Sequence, residues 1–528
     1  MRPTLKGYTI RMTYLFSYIH LVALGLGAVG YYGVNAANIL VLSPVISHSH
    51  AIYTNALTRA LAARGHKLVV LSPDQETRKN ENITTIHLEG GYDMDVLSTG
   101  LEEMPESNDL LSNTGFMFHY GALACELLLF SEGNKRFLRE YKNHKFDIIV
   151  IDAGFMECFL KYAHVFDNIH IVGFSAYFSV HPSLLGDFDN PSYVPHHLSY
   201  FTDKMNFHER FYNWFHYTYY NLMRRFSYLP RLDAMSQKFF GFYYPTVSQI
   251  EERISLFLSD EHFSLTHPKP RVPASIPVGG LHIKPPKPLP KDLEAFISGA
   301  KHGVIYFSLG STFKSKYMSS ARKRMFLDAF AQLPQRVLWK YEDDTLTNIP
   351  PNVRIQKWCP QTDILAHENT KIFITHNGYL STQESIYYGV PMLGVPIVCD
   401  QFINNEKIKR MGLGLKLNLK EIKSSKEILD KLKTILDDPS YKQRAVKESL
   451  LFRDRPMGPL DTAVYWIEYV IRHNGADALQ VASIDLYWFQ YYLLDIYATI
   501  GGTIFALYYV LKKLFCAIFG TNKKLKKS

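Results

Sequence analysis

The chain has 528 residues, more than one hydrophobic core usually serves, so two domains of roughly 200 residues each are expected. Its 47% hydrophobic and 20% charged residues make a folded composition, with no low-complexity tract that would mark disorder. The net charge of +9 comes from the ends alone, from Arg2, Lys6 and Arg11 and from Lys512, Lys513, Lys523, Lys524, Lys526 and Lys527; between them 49 bases face 49 acids, which excludes nucleic acid as a partner.

At the N-terminus the basic start precedes an apolar stretch from Met12 to about Tyr32, and Val34-Asn35-Ala36 offers small residues for cleavage. Residues 1–36 therefore read as a secretory signal peptide, with an uncleaved anchor as the alternative. Gly25-Leu26-Gly27-Ala28-Val29-Gly30 spells the dinucleotide fingerprint but neither follows a strand nor meets an acid about 20 residues later, the next being Asp74.

From residue 37 short β-rich runs alternate with helical patterns, the mark of a parallel sheet flanked by helices. The first domain, 37–266, has expected strands at Asn38–Ser43, Lys67–Ser72, Phe146–Ile151 and His170–Phe174 and a helix at Ala51–Ala63. Residues 180–250, rich in Tyr, Phe and Trp, read as mostly helical; they and Met117 and Phe118 either shape an apolar pocket or fill the core. His50 follows the first strand at a helix start, where the helix dipole is expected to disfavour imidazolium and keep a neutral base. Asp152 ends another strand, and parallel strands open on one edge, so it is placed to hydrogen-bond His50 and orient it as the acid of a triad does; the plain alternative is a helix N-cap. The acceptable glycosylation sequon is at Asn82, since Asn190-Pro191-Ser192 is blocked by proline.

Eight prolines fall within residues 267–290, which reads as a stiff linker. Alternation restarts at Gly303 and defines a second doubly wound domain, 291–485, so that a ligand is expected in the cleft where the carboxyl edges of two sheets face each other. Ser311 follows its first strand in Ser308-Leu309-Gly310-Ser311, where small residues let backbone approach an anion. The informative run is Trp358 to Gln401. Trp358 offers a flat face to a base; His376 and the amides after Gly378 at a helix start suit a diphosphate; Glu384 can accept two ribose hydroxyls, and Asp400 with Gln401 can do the same for a hexose. Read singly, Trp358 would be core and Glu384 a solvated face.

Near the C-terminus Tyr491–Leu511 is apolar except for Asp495, long enough for one membrane span, and the lysines of 512–528 keep that tail cytoplasmic and the two domains lumenal. The ending Lys524-Leu525-Lys526-Lys527-Ser528 resembles a dilysine retrieval signal of the endoplasmic reticulum, unless it is only a basic stop-transfer flank. Five cysteines with no C-x-x-C exclude a disulfide scaffold or a zinc site and leave one bridge open.

The run Trp358–Gln401, with Val278-Gly279-Gly280-Leu281-His282 and Phe307-Ser308-Leu309-Gly310-Ser311, resembles the UDP-glycosyltransferase family, above all its animal and insect members, over nearly the whole mature chain. The resemblance implies an α/β architecture of two facing Rossmann-like domains (the GT-B glycosyltransferase fold) plus a C-terminal transmembrane helix. It implies inverting transfer from a UDP-sugar to a hydroxyl of a small lipophilic acceptor, UDP-glucose being a co-substrate and no cofactor being required. By position His50, rather than His48, matches the general base and Asp152 its partner. Trp358 and Gln361 match uridine contacts, His376 and Ser311 diphosphate contacts, Glu384 the ribose contact, and Asp400 and Gln401 sugar contacts; Asn377, Gly378 and Ser381 fall in the same motif. Asn377 replaces a second glycine of many relatives, and asparagine tolerates the left-handed backbone such a turn needs. Leu258 stands near where glucuronosyl-transferring relatives carry an arginine, which favours glucose. Metal independence is expected, and a homo-oligomer is left open. The competing readings are a catalytically silent UDP-sugar or lipophile-binding protein and a UDP-sugar epimerase, which needs no acceptor.

Overall fold

Strands buried along nearly their whole length can persist only in sheets covered on both faces, as parallel sheets are. Two such sheets form in this computed structural model, which describes residues 35–75, 80–93, 110–176, 185–187, 189–311, 313–398 and 400–520. The signal peptide and the dilysine ending lie outside the described residues.

The first sheet contains β1 (Asn38–Leu42), β2 (Lys67–Ser72), β3 (Ile83–His87), β4 (Ile148–Asp152), β5 (Ile171–Ser175), β6 (Ile254–Ser259) and β7 (Ser275–Pro277), in the order β3-β2-β1-β4-β5-β6-β7. The second contains β8 (Val304–Ser308), β9 (Arg336–Lys340), β10 (Val353–Gln356), β11 (Thr370–Thr375), β12 (Met392–Gly394) and β13 (Gly414–Lys416), in the order β10-β9-β8-β11-β12-β13. Every named pairing is parallel. Each sheet reverses its strand order beside its first strand, between β1 and β4 and between β8 and β11, which is where open parallel sheets bind ligands.

The helices that position the site and its surroundings are, in chain order, α1 (His48–Ala63), α2 (Leu110–Leu129), α3 (Phe207–Met223), α4 (Gln361–Ala366), α5 (Tyr379–Tyr387), α6 (Gln401–Arg410), α7 (Pro459–His473) and α8 (Leu494–Gly520). A disulfide between Cys125 and Cys158 ties α2 to the turn after β4.

Four boundaries differ from the sequence expectation. α1 begins at His48 rather than Ala51, because Ser47 adopts the extended N-cap conformation, and so His50 lies inside its first turn. The proline-rich segment is only partly a linker: Ser275–Pro277 pairs with β6, and Val278 and Leu281 join the first core, which leaves 284–290 as the exposed crossing. The segment after residue 458 does not stay with the second sheet. α7 buries Ala463, Val464, Ile467 and Val470 in the first domain's core, His66 Nε2 lies 3.4 Å from Glu468 Oε1, and Gln480 Nε2 donates to the Ser255 carbonyl at 2.9 Å. Finally, α8 runs through Lys512 and Lys513 to Gly520 instead of ending at Leu511, and its stretch Leu494–Phe519, exposed along its length, is the described helix long and apolar enough to cross a membrane.

Candidate active site

β1 and β4 are neighbours, so the residues that follow β1 and end β4 meet on one edge. There His50 Nδ1 donates to Asp152 Oδ2 at 2.5 Å, and Asp152, fully buried, also accepts the Gly154 amide at 3.3 Å. That bond fixes the tautomer and leaves Nε2 of a neutral His50 to accept a proton. Burial pulls the imidazole down, but Asp152, supported by Asp260 and Asp400, outweighs it and holds His50 above its ordinary value. The expectation that the helix dipole would disfavour imidazolium is thus reversed, because the buried Asp152 carboxylate is in direct contact with the ring. His48 turns away, with Nδ1 2.8 Å from Asp74 Oδ1 and its ring stacked on Tyr92.

His50 opens on a cleft of about 760 Å³ between the two sheets. The same cleft is lined by Ser311, Trp358, Gln361, His376, Gly378, Ser381, Glu384, Asp400 and Gln401, the sequence candidates of the second domain apart from Asn377. Its N-terminal wall carries an apolar patch, Ile46, Ile52, Phe116, Met117 and Phe155, beside the polar Ser47, Ser49, Asn55 and Arg59. Met117 is therefore lining, whereas Phe118 is core, stacked on Tyr228 at 4.7 Å between centroids.

His376 follows β11 beside the turn after β8, and two glycines make room for it. A Cβ on Gly310, whose φ is +84°, would lie 2.6 Å from the imidazole Cε1, and one on Gly378 would lie 2.4 Å from Nε2. Burial, with Lys340 nearby, pushes the ring down to about 4, so it is neutral at neutral pH; its Nδ1 has no partner among the described residues. The positive charge beside it belongs to Lys340, at the end of β9, which also lines the cleft. The Lys340 ammonium donates to the Gly310 carbonyl at 3.0 Å and to Glu342 at 3.1 Å, and stands 6.0 Å from the centre of the Trp358 ring. Nothing in the sequence pattern singled it out, since a lysine ending a strand is an ordinary surface event.

Glu384, on α5, holds its two oxygens toward α4. Oε2 accepts from Gln361 Nε2 at 2.6 Å and Oε1 from Thr362 Oγ1 at 2.9 Å, while Gln361 Nε2 also reaches Ser381 Oγ at 2.9 Å. Burial raises Glu384 against these bonds. Trp358 projects beside them, 64% exposed, as an open flat face rather than the core residue a lone tryptophan suggests. Asp400 precedes α6 and accepts from Asn404 Nδ2 at 2.8 Å, and burial pushes it up to about 7. Gln401 Oε1 accepts the Ile397 and Val398 amides at 2.8 and 3.1 Å, which leaves its Nε2 for other contacts.

Two expectations are corrected. Asn377 does not line the cleft: with φ 59° it makes the left-handed turn, and its side chain is buried against α6, Oδ1 accepting from Asn405 Nδ2 at 2.9 Å. Leu258 is fully buried in β6 and so cannot face a sugar. Two residues on, Asp260 does bear on the site. Its Oδ1 accepts from Gly280 N at 3.2 Å and, in a buried contact between the domains, from Gln383 Nε2 of α5 at 3.0 Å, and burial pushes it up to about 8.

Comparison with known proteins bears on the family and the fold. The family model "UDP-glucoronosyl and UDP-glucosyl transferase" matches residues 37–528. The chain is 35% identical over 517 residues to "UDP-glucosyltransferase 2" of Dactylopius coccus, covering 94% of this chain and 96% of that protein. It is 32% identical over 494 residues to human "UDP-glucuronosyltransferase 2B15", covering 89% and 91%. Among solved structures, the glycosyltransferase VinC in complex with dTDP superposes with a TM-score of 0.57 at 15% identity, covering 83% of this chain and all of that one. The fold is therefore the two-domain GT-B arrangement.

Proposed function

Because the chain belongs to the UDP-glucuronosyl and UDP-glucosyl transferase family, we propose that it moves a hexose, preferably glucose, from a UDP-sugar to a hydroxyl of a small lipophilic acceptor, with inversion. The observation that carries the catalytic part is the His50–Asp152 hydrogen bond at the edge of a cleft whose opposite wall holds Trp358, Glu384 and His376. His50 Nε2 takes the acceptor proton as the oxygen attacks the anomeric carbon from the face opposite UDP, and Asp152 stabilises the imidazolium. The departing diphosphate meets the His376 ring, Ser311, the first amides of α5 and the Lys340 ammonium. This charge supply favours a metal-independent reaction: turnover should survive a chelator, and activity lost in chelator and regained with divalent metal would count against it.

The preference for glucose follows the name of the insect relative at 35% identity, "UDP-glucosyltransferase 2". The apolar patch suits a lipophilic acceptor. The decisive assay is glycoside formation by detergent-solubilised full chain from UDP-glucose and a panel of phenolic and steroidal alcohols, with UDP-glucuronate in parallel. His50→Ala should lower turnover by about two to four orders of magnitude while UDP still binds. Tight UDP-glucose binding without product from any acceptor would return the chain to the binding-protein reading.

Placement in the endoplasmic reticulum, anchored by α8 with both domains lumenal, belongs to the same proposal. Asn82 lies in the turn before the edge strand β3 and is half-buried. Asn82→Gln should remove an endoglycosidase-sensitive mobility shift; a wild-type chain without that shift would argue against lumenal exposure.

A further inference from the structure

α3 is amphipathic the wrong way round for a helix on a water-soluble surface. Its inner face is polar: Asn213 and His216 are fully buried, Asn213 Nδ2 donating to the carbonyls of Pro191 and Val194 at 2.8 and 2.9 Å and His216 Nε2 lying 3.1 Å from Thr114 Oγ1. Its outer face is aromatic. Phe207, Phe211, Trp214 and Phe215, and beyond the helix Phe226, recur at helical spacing, half to seven-tenths exposed in most cases. Core-forming helices bury such a stripe; this one holds it out with no described residue covering it.

The stripe adjoins the membrane anchor. The chain just before the loop 189–194, on which α3 sits through Asn213, meets the lead-in to that anchor, Ser483 Oγ donating to the Gly186 carbonyl at 3.4 Å. Gly186 is pressed against the lead-in to α8, where a Cβ would lie 2.3 Å from Ser483 Oγ. That lead-in also exposes Tyr487, Trp488 and Tyr492 just before Leu494. Aromatic residues at the base of an apolar helix mark the headgroup level of a bilayer, and the α3 stripe continues that belt.

We infer that the outer face of α3, from Phe207 to Phe226, lies in the interfacial layer of the phospholipid leaflet that α8 enters, so that the first domain rests on the membrane rather than hanging from a tether. The inference rests on the proposed anchoring by α8. It has a functional corollary. α3 packs on α2, with Phe118 and Tyr220 rings 5.0 Å apart, and α2 presents Phe116 and Met117 to the cleft, so the apolar patch is held close to the lipid from which lipophilic acceptors come.

The test uses the full chain in phosphatidylcholine vesicles with brominated or plain acyl chains. The emission of Trp214 is isolated by difference from Trp214→Phe, and that of Trp488 from Trp488→Phe. Loss of both emissions in brominated vesicles alone is expected. Loss at Trp488 with Trp214 unchanged overturns the inference, and does so in favour of a second copy if Phe211→Cys then cross-links chain to chain. No loss at either residue overturns the anchoring and the inference with it. Quenching needs no turnover, so failure here is separable from failure of the proposed reaction.

Discussion

At the level of single residues, the carboxylates around His50 set the pH behaviour. A base whose pKa is raised must lose its proton before it can act, so kcat/KM should fall as pH drops through a value above the ordinary histidine range of about 6.5. Asp152→Asn removes the strongest of the raising charges; it should lower turnover and shift that acidic limb to lower pH, measured as a pH profile against wild type. His376 is neutral, so the formal charge beside it is that of Lys340, while Arg59, Lys284 and Lys287 also line the same cleft. Lys340→Met should cost about 1.5–3 kcal/mol, or roughly 10- to 150-fold, in UDP affinity, less for UMP and little for uridine. Equal losses for all three would mean that the lysine only braces the Gly310 turn. Of the sequence candidates, His50, Ser311, Gln361, His376 and Gly378 reach the cleft from positions that follow a strand or open a helix, which a linear pattern marks. Lys340 and Asp260 were not legible in advance, since they reach the site through burial and cross-domain contacts that no local pattern encodes. Asn377 misled for the opposite reason: it lies in the motif, but its side chain serves the turn.

Among the elements, the turns after β8 and β11 are coupled through the His376 ring. Gly378→Ala would drive a methyl into it, so activity should collapse with little change in Tm, while Gly310→Ala should also lose stability, by about 1–2 kcal/mol, because its φ is left-handed. β6 ends beside Asp260, a carboxyl that folding pushes up to about 8. It stays protonated in the folded state where the unfolded chain has already ionised, so stability should decline as pH rises from about 4 toward 8. Asp260→Asn keeps the acceptor for Gly280 and Gln383 and should flatten that decline, read as Tm against pH. Most of the buried strands were plain from their β-branched runs, but the fully buried β6, with Ile254 as its one β-branched residue, was missed, as was the three-residue β13. β3 and β7 escaped notice because the first is a short, half-exposed edge and the second has three residues inside a proline-rich stretch.

Over the whole molecule, the chain crosses between the domains twice, at 284–290 and again before α7, and the second crossing was invisible because an amphipathic helix does not name its partner. Ile467 is fully buried in the first domain's core, although it follows the second domain in sequence. Ile467→Ala should therefore destabilise the protein by about 2–5 kcal/mol, with protection from hydrogen exchange lost first in α1, which α7 covers. α8 has a comparable reach: its 26-residue stretch Leu494–Phe519 extends about 39 Å, more than a bilayer core of about 30 Å, so that a span on it would call for a tilt.

The return of α7 also bears on how such proteins can be recombined. Joining the first half of one relative to the second half of another at the proline-rich seam delivers a foreign α7 into a core shaped for its own. A hybrid that keeps α7 with its own core needs two junctions, near residue 290 and near residue 455, so that the first domain is inherited as two separated stretches of gene rather than one.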